Sequence, residues 1–155
     1  MTTRINWTTT QPTTTPEGQM IVTVSDGTVR YFESSVDRGA AVGTPYLLTD
    51  RSQAVLSDYT GMIGVSGARR GCIYFTAPSA MLRHILLSHG ETEIDGAYMA
   101  DVVGEVANII SGNARRVFGR EFAISVPDVF AGRDDGGKLA LGERSFVIPI
   151  NWRQY

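Results

Sequence analysis

The chain is short of cysteine, of charge of either sign in excess, and of long apolar runs, and each shortage excludes a class of protein. Its single cysteine among 155 residues, Cys72, cannot close an intrachain disulfide. It lies in the apolar run Cys72-Ile73-Tyr74-Phe75 and reads as a small core residue rather than a nucleophile. The first 18 residues hold no apolar core of the kind a secretory signal needs, so a reducing, cytoplasmic compartment is expected. No apolar stretch approaches the ~20 residues of a membrane span, so no membrane association is expected. Fourteen Lys and Arg stand against sixteen Asp and Glu, a net charge of −2. That balance leaves no basic patch for nucleic acid. The pairs Arg69-Arg70 and Arg115-Arg116 read as solvated charges on a loop and a helix end.

Catalytic signatures are scarce too. The two histidines, His84 and His89, are five apart, which matches no helical metal pair, and no intrinsic metal or cofactor is expected. There is no Walker-type loop and no Ser-His-Asp order. The glycine-rich GMIGVSG, residues 61–67, falls in a hairpin rather than between a strand and a helix, so it lacks the setting of a nucleotide fingerprint.

What is present suits one globular domain: 43% apolar and 19% charged residues over a length typical of a single domain. Residues 1–18, rich in Thr with Pro12 and Pro16, read as an N-terminal arm that Trp7 could anchor, and 19–155 as the domain. From Gly18 to Asp37, the residues Met20, Ile21, Val24, Val29 or Thr28, Phe32 and Val36 recur at near-helical spacing and favour an amphipathic helix. Asp26-Gly27 in the same segment is a hairpin signal and keeps a β alternative open.

Strands are predicted at 44–48, 61–66 and 71–76, the last two joined by the loop Gly67-Ala68-Arg69-Arg70. Thr76 or Ser79 is placed to cap a helix running from Ala80 to Ser88. A long helix is predicted from Ile94 or Asp95 to Phe118, closed by Gly119, with an apolar stripe of Met99, Val102, Val103, Val106, Ile109, Ile110 and Val117. Strands follow at 122–126, 139–141 and 145–150, with a turn at 134–137. Strands in blocks with short turns imply an α+β, two-layer domain: a largely antiparallel sheet with long helices packed on one face.

The long helix carries the one pattern that could do chemistry. Asp101, Glu105, Asn108 and Gly112 are spaced four, three and four, which lines them up on the side away from the apolar stripe. A carboxylate and a carboxamide at i and i+3 can reach one external target. Gly104, Ala107, Ser111 and Gly112 are small neighbours that would leave a flat, open surface, and a glycine inside a helix costs ~1 kcal/mol relative to alanine. Every amphipathic helix has a polar face, and by spacing alone an ordinary solvated face is the simpler reading.

Beyond spacing, Asp101-x3-Glu105-x2-Asn108 within DVVGEVANIISGNARRVFG resembles the signature helix of the CheC/CheX/FliY family of response-regulator phosphatases. TGMIGVSGARRGCIYFTAP resembles the strand pair ahead of that helix, and FAISVPDVFAG the segment after it, so the likeness runs in order over residues 43–150. The motif occurs once, as in the CheX branch rather than the doubled CheC branch. The resemblance implies a CheC/CheX-like fold and an enzyme that hydrolyses the aspartyl phosphate of a CheY-like receiver domain in chemotaxis or related two-component signalling. It implies that Glu105 pairs with the receiver's active-site lysine and that Asn108 holds the attacking water. Asp101 would support the contact surface, and Gly104 and Gly112 would lie within it. Mg2+ would arrive on the receiver, and a homodimer through sheet edges is expected. Two other readings stay open at this point: a non-catalytic module that docks a receiver by the same helix face, and a small-molecule enzyme or ligand-binding domain.

Overall fold

The computed structural model describes residues 15–37, 39–50, 56–132 and 145–155. Trp7, the turn at 134–137 and the strand at 139–141 lie outside the described residues.

The first helix, α1 (Pro16–Ser35), settles the ambiguous segment as a helix. The Thr15 side chain accepts from Gly18 N at 3.1 Å and Pro16 occupies the first turn, where its missing N–H is not needed. The last three residues of the segment read as an arm, Pro16 to Gly18, are therefore helical. Asp26-Gly27 is no hairpin: both residues lie within the helix, and Gly27 is buried. A Cβ placed there would stand 3.4 Å from Asn113.

Next come β1 (Ala40–Val42), β2 (Tyr46–Leu48), β3 (Tyr59–Gly67), β4 (Gly71–Ala77), α2 (Ser79–Ser88) and α3 (Gly96–Phe118). They are followed by β5 (Phe122–Ile124), β6 (Asp128–Ala131), β7 (Ser145–Val147) and β8 (Ile150–Trp152). All pairings are antiparallel. The α+β class holds: among the described residues three helices lie beside antiparallel sheets. β3 is the organising strand. β4 runs along one edge of it, while β6 and β5 share the other, β6 beside Tyr59–Met62 and β5 beside Val65–Gly67. Between β5 and β6 the chain bends at Ser125, whose hydroxyl accepts from Gly64 N at 2.9 Å and donates to Val126 O at 2.7 Å.

Three expectations change. α2 is not capped by Thr76 or Ser79. The Asp58 carboxylate accepts from both the backbone N and the Oγ of Ser79, at 2.9 Å each, placing a negative charge at the helix start. The Thr76 hydroxyl is engaged instead with Ser57 N and Thr60. The strand read at 145–150 is two strands broken at Ile148-Pro149, since proline has no N–H for a ladder. β1 and β6, three and four residues long, were not foreseen.

Trp152 on β8 is fully buried with Phe32, Leu82 and Ile85. Its Nε1 donates to Asp37 at 2.7 Å. That bond, and a second from Arg153, hold the Asp37 carboxyl below its ordinary range. The end of the chain is thus tied to the end of α1. His84 is half-buried with its ring 5.1 Å from that of Trp152, and the exposed His89 has its Nε2 2.6 Å from Ser35 O. Cys72 is half-buried on β4, and desolvation pushes its thiol pKa up, which keeps it protonated.

Candidate functional site

The site begins with the reason α3 is long and fixed. Asp95 caps it, accepting from Ala97 N at 2.8 Å and Tyr98 N at 3.1 Å. Gly119, at φ 86°, ends it, and Arg115 and Arg116 sit in its last turn against the negative end of the dipole. Along its length Met99, Val102, Val103, Gly104, Val106, Ala107, Ile110, Ser111 and Ala114 are buried. α3 packs on β3, β4, β5 and β6 and is flanked by α1 and α2.

A helix held on so many sides shows solvent only a narrow line in its middle turns. Asp101, Glu105 and Asn108 are that line, all three exposed, with Gly112 half-exposed beyond them. At 1.5 Å and 100° per residue, Glu105 and Asn108 are ~4.5 Å apart along the axis and within about 60° of arc. None of the three side chains makes a hydrogen bond or ion pair with any described residue. The acid and the amide therefore stand together, outward and uncommitted, on a support that cannot move independently of the core.

The small residues beside them do something other than expected. Gly104, Ala107 and Ser111 do not flatten an outer surface, because they face inward. Gly104 is buried, and a Cβ there would stand 3.0 Å from Val129 Cγ2 and 3.7 Å from Pro127 Cβ. Its smallness is accounted for by the chain's own β5–β6 segment. Gly112 alone keeps open space, with nothing within 4 Å of a built Cβ. Val117, read as part of the apolar stripe, is exposed. The Ser111 hydroxyl is buried without a partner among the described residues.

The line has two banks, neither foreseen. On the Gly104 side runs the ledge Val126-Pro127-Asp128-Val129, with Val126 79% exposed and Val129 38% exposed. On the other side lies α1, whose Tyr31 is 2% exposed with its hydroxyl unpartnered among the described residues. Burial, and then the charge of Glu105, push the Tyr31 phenol up to about 12. The spacing Val24, Thr28, Tyr31 would have placed that ring on the inner face of α1 from sequence. The ledge had no comparable signal, because Pro127 interrupts the alternation.

Near the C-terminal end of α3, Gly112, Arg115, Arg116, Gly119 and Arg120 surround a shallow basic hollow. Arg69 of the β3–β4 loop lies over the Phe118 ring, 5.4 Å from its centroid. Among the described residues no cluster of three or more His, Cys, Asp and Glu is placed to hold a metal ion, and no helix is long and apolar enough to cross a membrane.

Comparison with known proteins bears on this geometry. A family model described as chemotaxis phosphatase CheX matches residues 59–151. No curated protein matches the chain. A CheC-like superfamily protein from Shewanella sp. PV-4 is 26% identical with a TM-score of 0.64, over 74% of this chain and 77% of that one. CheX from Vibrio vulnificus is 19% identical with a TM-score of 0.68, over 86% of this chain and 91% of that one. A chain of the CheX-CheY-BeF3-Mg2+ complex from Borrelia burgdorferi is 16% identical with a TM-score of 0.66, over 88% and 89%.

Proposed function

The chain belongs to the chemotaxis phosphatase CheX family, whose model spans more than half of it, and from that premise we propose that it hydrolyses the aspartyl phosphate of a CheY-like receiver domain. The observation that carries this reading is the pair Glu105 and Asn108, exposed side by side on the middle turns of a helix whose other faces there are buried or half-buried. The structural relative from Borrelia burgdorferi was solved with CheY, beryllofluoride and Mg2+. A receiver domain carrying Mg2+ and a phosphoryl group is accordingly the partner proposed here.

An acyl phosphate is already reactive, so the reaction asks for positioning and charge placement rather than covalent help. Water attacks phosphorus, the bond to the receiver's aspartate breaks, and aspartate and inorganic phosphate leave. The Asn108 carboxamide reaches into the receiver's site, accepts a hydrogen bond from the water through its oxygen and donates from its nitrogen to a phosphoryl oxygen. Glu105 pairs with the receiver's active-site lysine, which fixes register across the interface. Asp101, one turn earlier, and Gly112, one turn later, border the contact. Mg2+ is supplied by the receiver and neutralises the phosphoryl charge.

The test is direct. A receiver phosphorylated by a small-molecule phosphodonor in Mg2+ is expected to lose its phosphate faster in the presence of this protein. An unchanged decay rate at equimolar protein would sink the phosphatase reading, and binding without acceleration would leave a docking module.

A homodimer belongs to the same proposal. Among the described residues β4 is paired along one side only, and the β2–β7 ribbon exposes Tyr46, Leu47 and Phe146. Exposed strand edges recruit another strand, and exposed aromatics favour burial. Sedimentation equilibrium is expected to return twice the chain mass, and Phe146→Glu to shift it toward the monomer. A monomer at micromolar concentration in the parent protein would end this part of the proposal.

A further inference from the structure

The exposed line on α3 does not stop at Gly112. Seven residues turn a helix through about 700°, so Arg115 stands ~10.5 Å beyond Asn108 along the axis and within about 20° of it around the axis. Arg115, Arg116 and Arg120 are all exposed, and with Gly112 and Gly119 they line the shallow hollow at the end of the helix. Arg116 donates to the side chain of Asn113 at 2.7 Å. Arg115 and Arg120 make no side-chain hydrogen bond or ion pair with any described residue, and neither does the exposed Glu121 beside them in the chain. The helix dipole accounts for cations in the last turn. It does not account for Arg120, which lies past the Gly119 cap, or for the bare floor at Gly112. Of the three glycines in α3, a Cβ would meet Tyr59 at 3.1 Å at Gly96 and Val129 at 3.0 Å at Gly104, and nothing within 4 Å at Gly112. A glycine weakens a helix interior relative to alanine, and at Gly112 no atom of the described chain calls for one.

We propose that this hollow is a second docking point, one that takes acidic side chains on the rim of the receiver's phosphorylation site, with Gly112 leaving them room to approach. The assignment to a receiver deepens the phosphatase reading and rests on it. A receiver that holds Mg2+ does so largely through carboxylate oxygens, so acids surround the place that Asn108 enters. With Asn108 there, Arg115 falls ~10.5 Å away, on that rim. Along the line the charges run from acid at Asp101 and Glu105, through the amide of Asn108, to arginine at 115 and 120. That order matches a partner offering a cation at one end and acids at the other, and it opposes the reverse orientation. Arginine's planar fork suits carboxylates, and exposed charges at a rim act mainly on the association rate and its salt dependence. Arg115 and Arg120 are thus docking residues, and the hydrolytic step stays with Asn108.

The experiment measures association of the full chain with a receiver loaded with beryllofluoride and Mg2+, by stopped flow at low and high salt. A chain carrying both Arg115→Gln and Arg120→Gln is expected to associate about tenfold more slowly at low salt. The difference is expected to vanish near ~1 M salt, where the screening length is only ~3 Å. Equal rates at low salt, or a defect that persists at high salt, overturn the proposal. Gly112→Gln fills the hollow with a good helix former, so its thermal midpoint is expected to hold or rise while affinity for the loaded receiver falls about tenfold. Unchanged affinity in that stable variant overturns the role given to the open floor. A second arm needs no receiver. An octaglutamate peptide added to the 15N-labelled chain is expected to move the amide signals of Arg115, Arg116, Gly119 and Arg120, and the double Gln variant is expected to lose that response. No response, or an equal one to inorganic phosphate or to a short single-stranded oligonucleotide, overturns a surface for acidic protein side chains. A parent that binds and dephosphorylates the receiver at rates indifferent to the two arginines overturns this inference alone. A parent that does neither ends the proposed function and the receiver as occupant together, and the peptide titration still decides the chemistry of the hollow.

Discussion

Asn108→Ala is expected to lower the rate of receiver dephosphorylation by about 10²–10³-fold, the usual loss when one preorganised polar group at a reacting centre is removed. Affinity for a beryllofluoride-loaded receiver is expected to stay within a few fold. Two features separate this from damage to the fold. Asn108 is exposed and unpartnered among the described residues, so its truncation leaves no buried group unsatisfied. Alanine is also the better helix former by a few tenths of a kcal/mol, so the thermal midpoint should hold or rise slightly. A stable, receiver-binding, inactive variant is what a water-positioning amide predicts. Full activity in Asn108→Ala would remove the role assigned to it. Glu105→Lys is expected to give the complementary result. Placing like charge against the receiver's lysine should weaken docking first, seen as a rise in KM and a reversed salt dependence.

The two residues carrying that prediction were legible in the sequence because helical periodicity is local. The intervals of four and three put Asp101, Glu105 and Asn108 on one line whatever the rest of the chain does, and the structure leaves that line open. Periodicity says which residues share a face but not what covers the others, and the errors follow from that. Gly104, Ala107 and Ser111 looked like a flat margin and are interior contacts. Gly104 is filled by Val129, a residue of β6 that the sequence did not mark as a strand.

Short strands escape for a similar reason. Ala40–Val42 has three residues, too few for alternation to register, and exists because Trp152 and its neighbours lie opposite. The α2 cap shows the same dependence on distant chain. Pro78 and Ser79 announce a helix start, but the carboxylate that accepts from Ser79 comes from Asp58, just ahead of β3. In α1 the packing decided between two local signals. Asp26-Gly27 favoured a turn and the apolar spacing favoured a helix, and the helix won because its inner face, with Gly27, Thr28, Tyr31 and Phe32, is buried.

The second large effect is expected at Gly61, where the site's support meets the sheet. Gly61 lies in the central strand, paired with Phe75 on one side and Val129 on the other. A Cβ there would stand 2.5 Å from the carbonyl oxygen of Val103 and 3.2 Å from Ala107 Cβ. The strand is held at both edges and cannot retreat, and the obstructing atom is helix backbone rather than a flexible side chain. Gly61→Val therefore has to lift α3 at the turn carrying Val103–Ala107, whose far side presents Glu105 and Asn108. Overpacking of this kind costs 1–3 kcal/mol and occasionally more; with a backbone carbonyl as the obstacle, about 3 kcal/mol or more is expected. The β propensity gained by valine, at most ~1 kcal/mol, does not offset it. Chemical denaturation should show the midpoint falling with little change in slope. Ala107→Gly should not rescue the variant, because the carbonyl of residue 103 remains the nearer obstacle. Gly112→Ala is the stability control: with nothing within 4 Å of its built Cβ, it should raise the unfolding free energy by up to ~1 kcal/mol through helix propensity alone. In whatever fraction of Gly61→Val folds, a shift of the site by ~1 Å is enough to cost 10²-fold in rate, so kcat should fall with stability. A Gly61→Val protein as stable and as active as the parent would mean that α3 does not rest on β3 in the way that holds Glu105 and Asn108 in place.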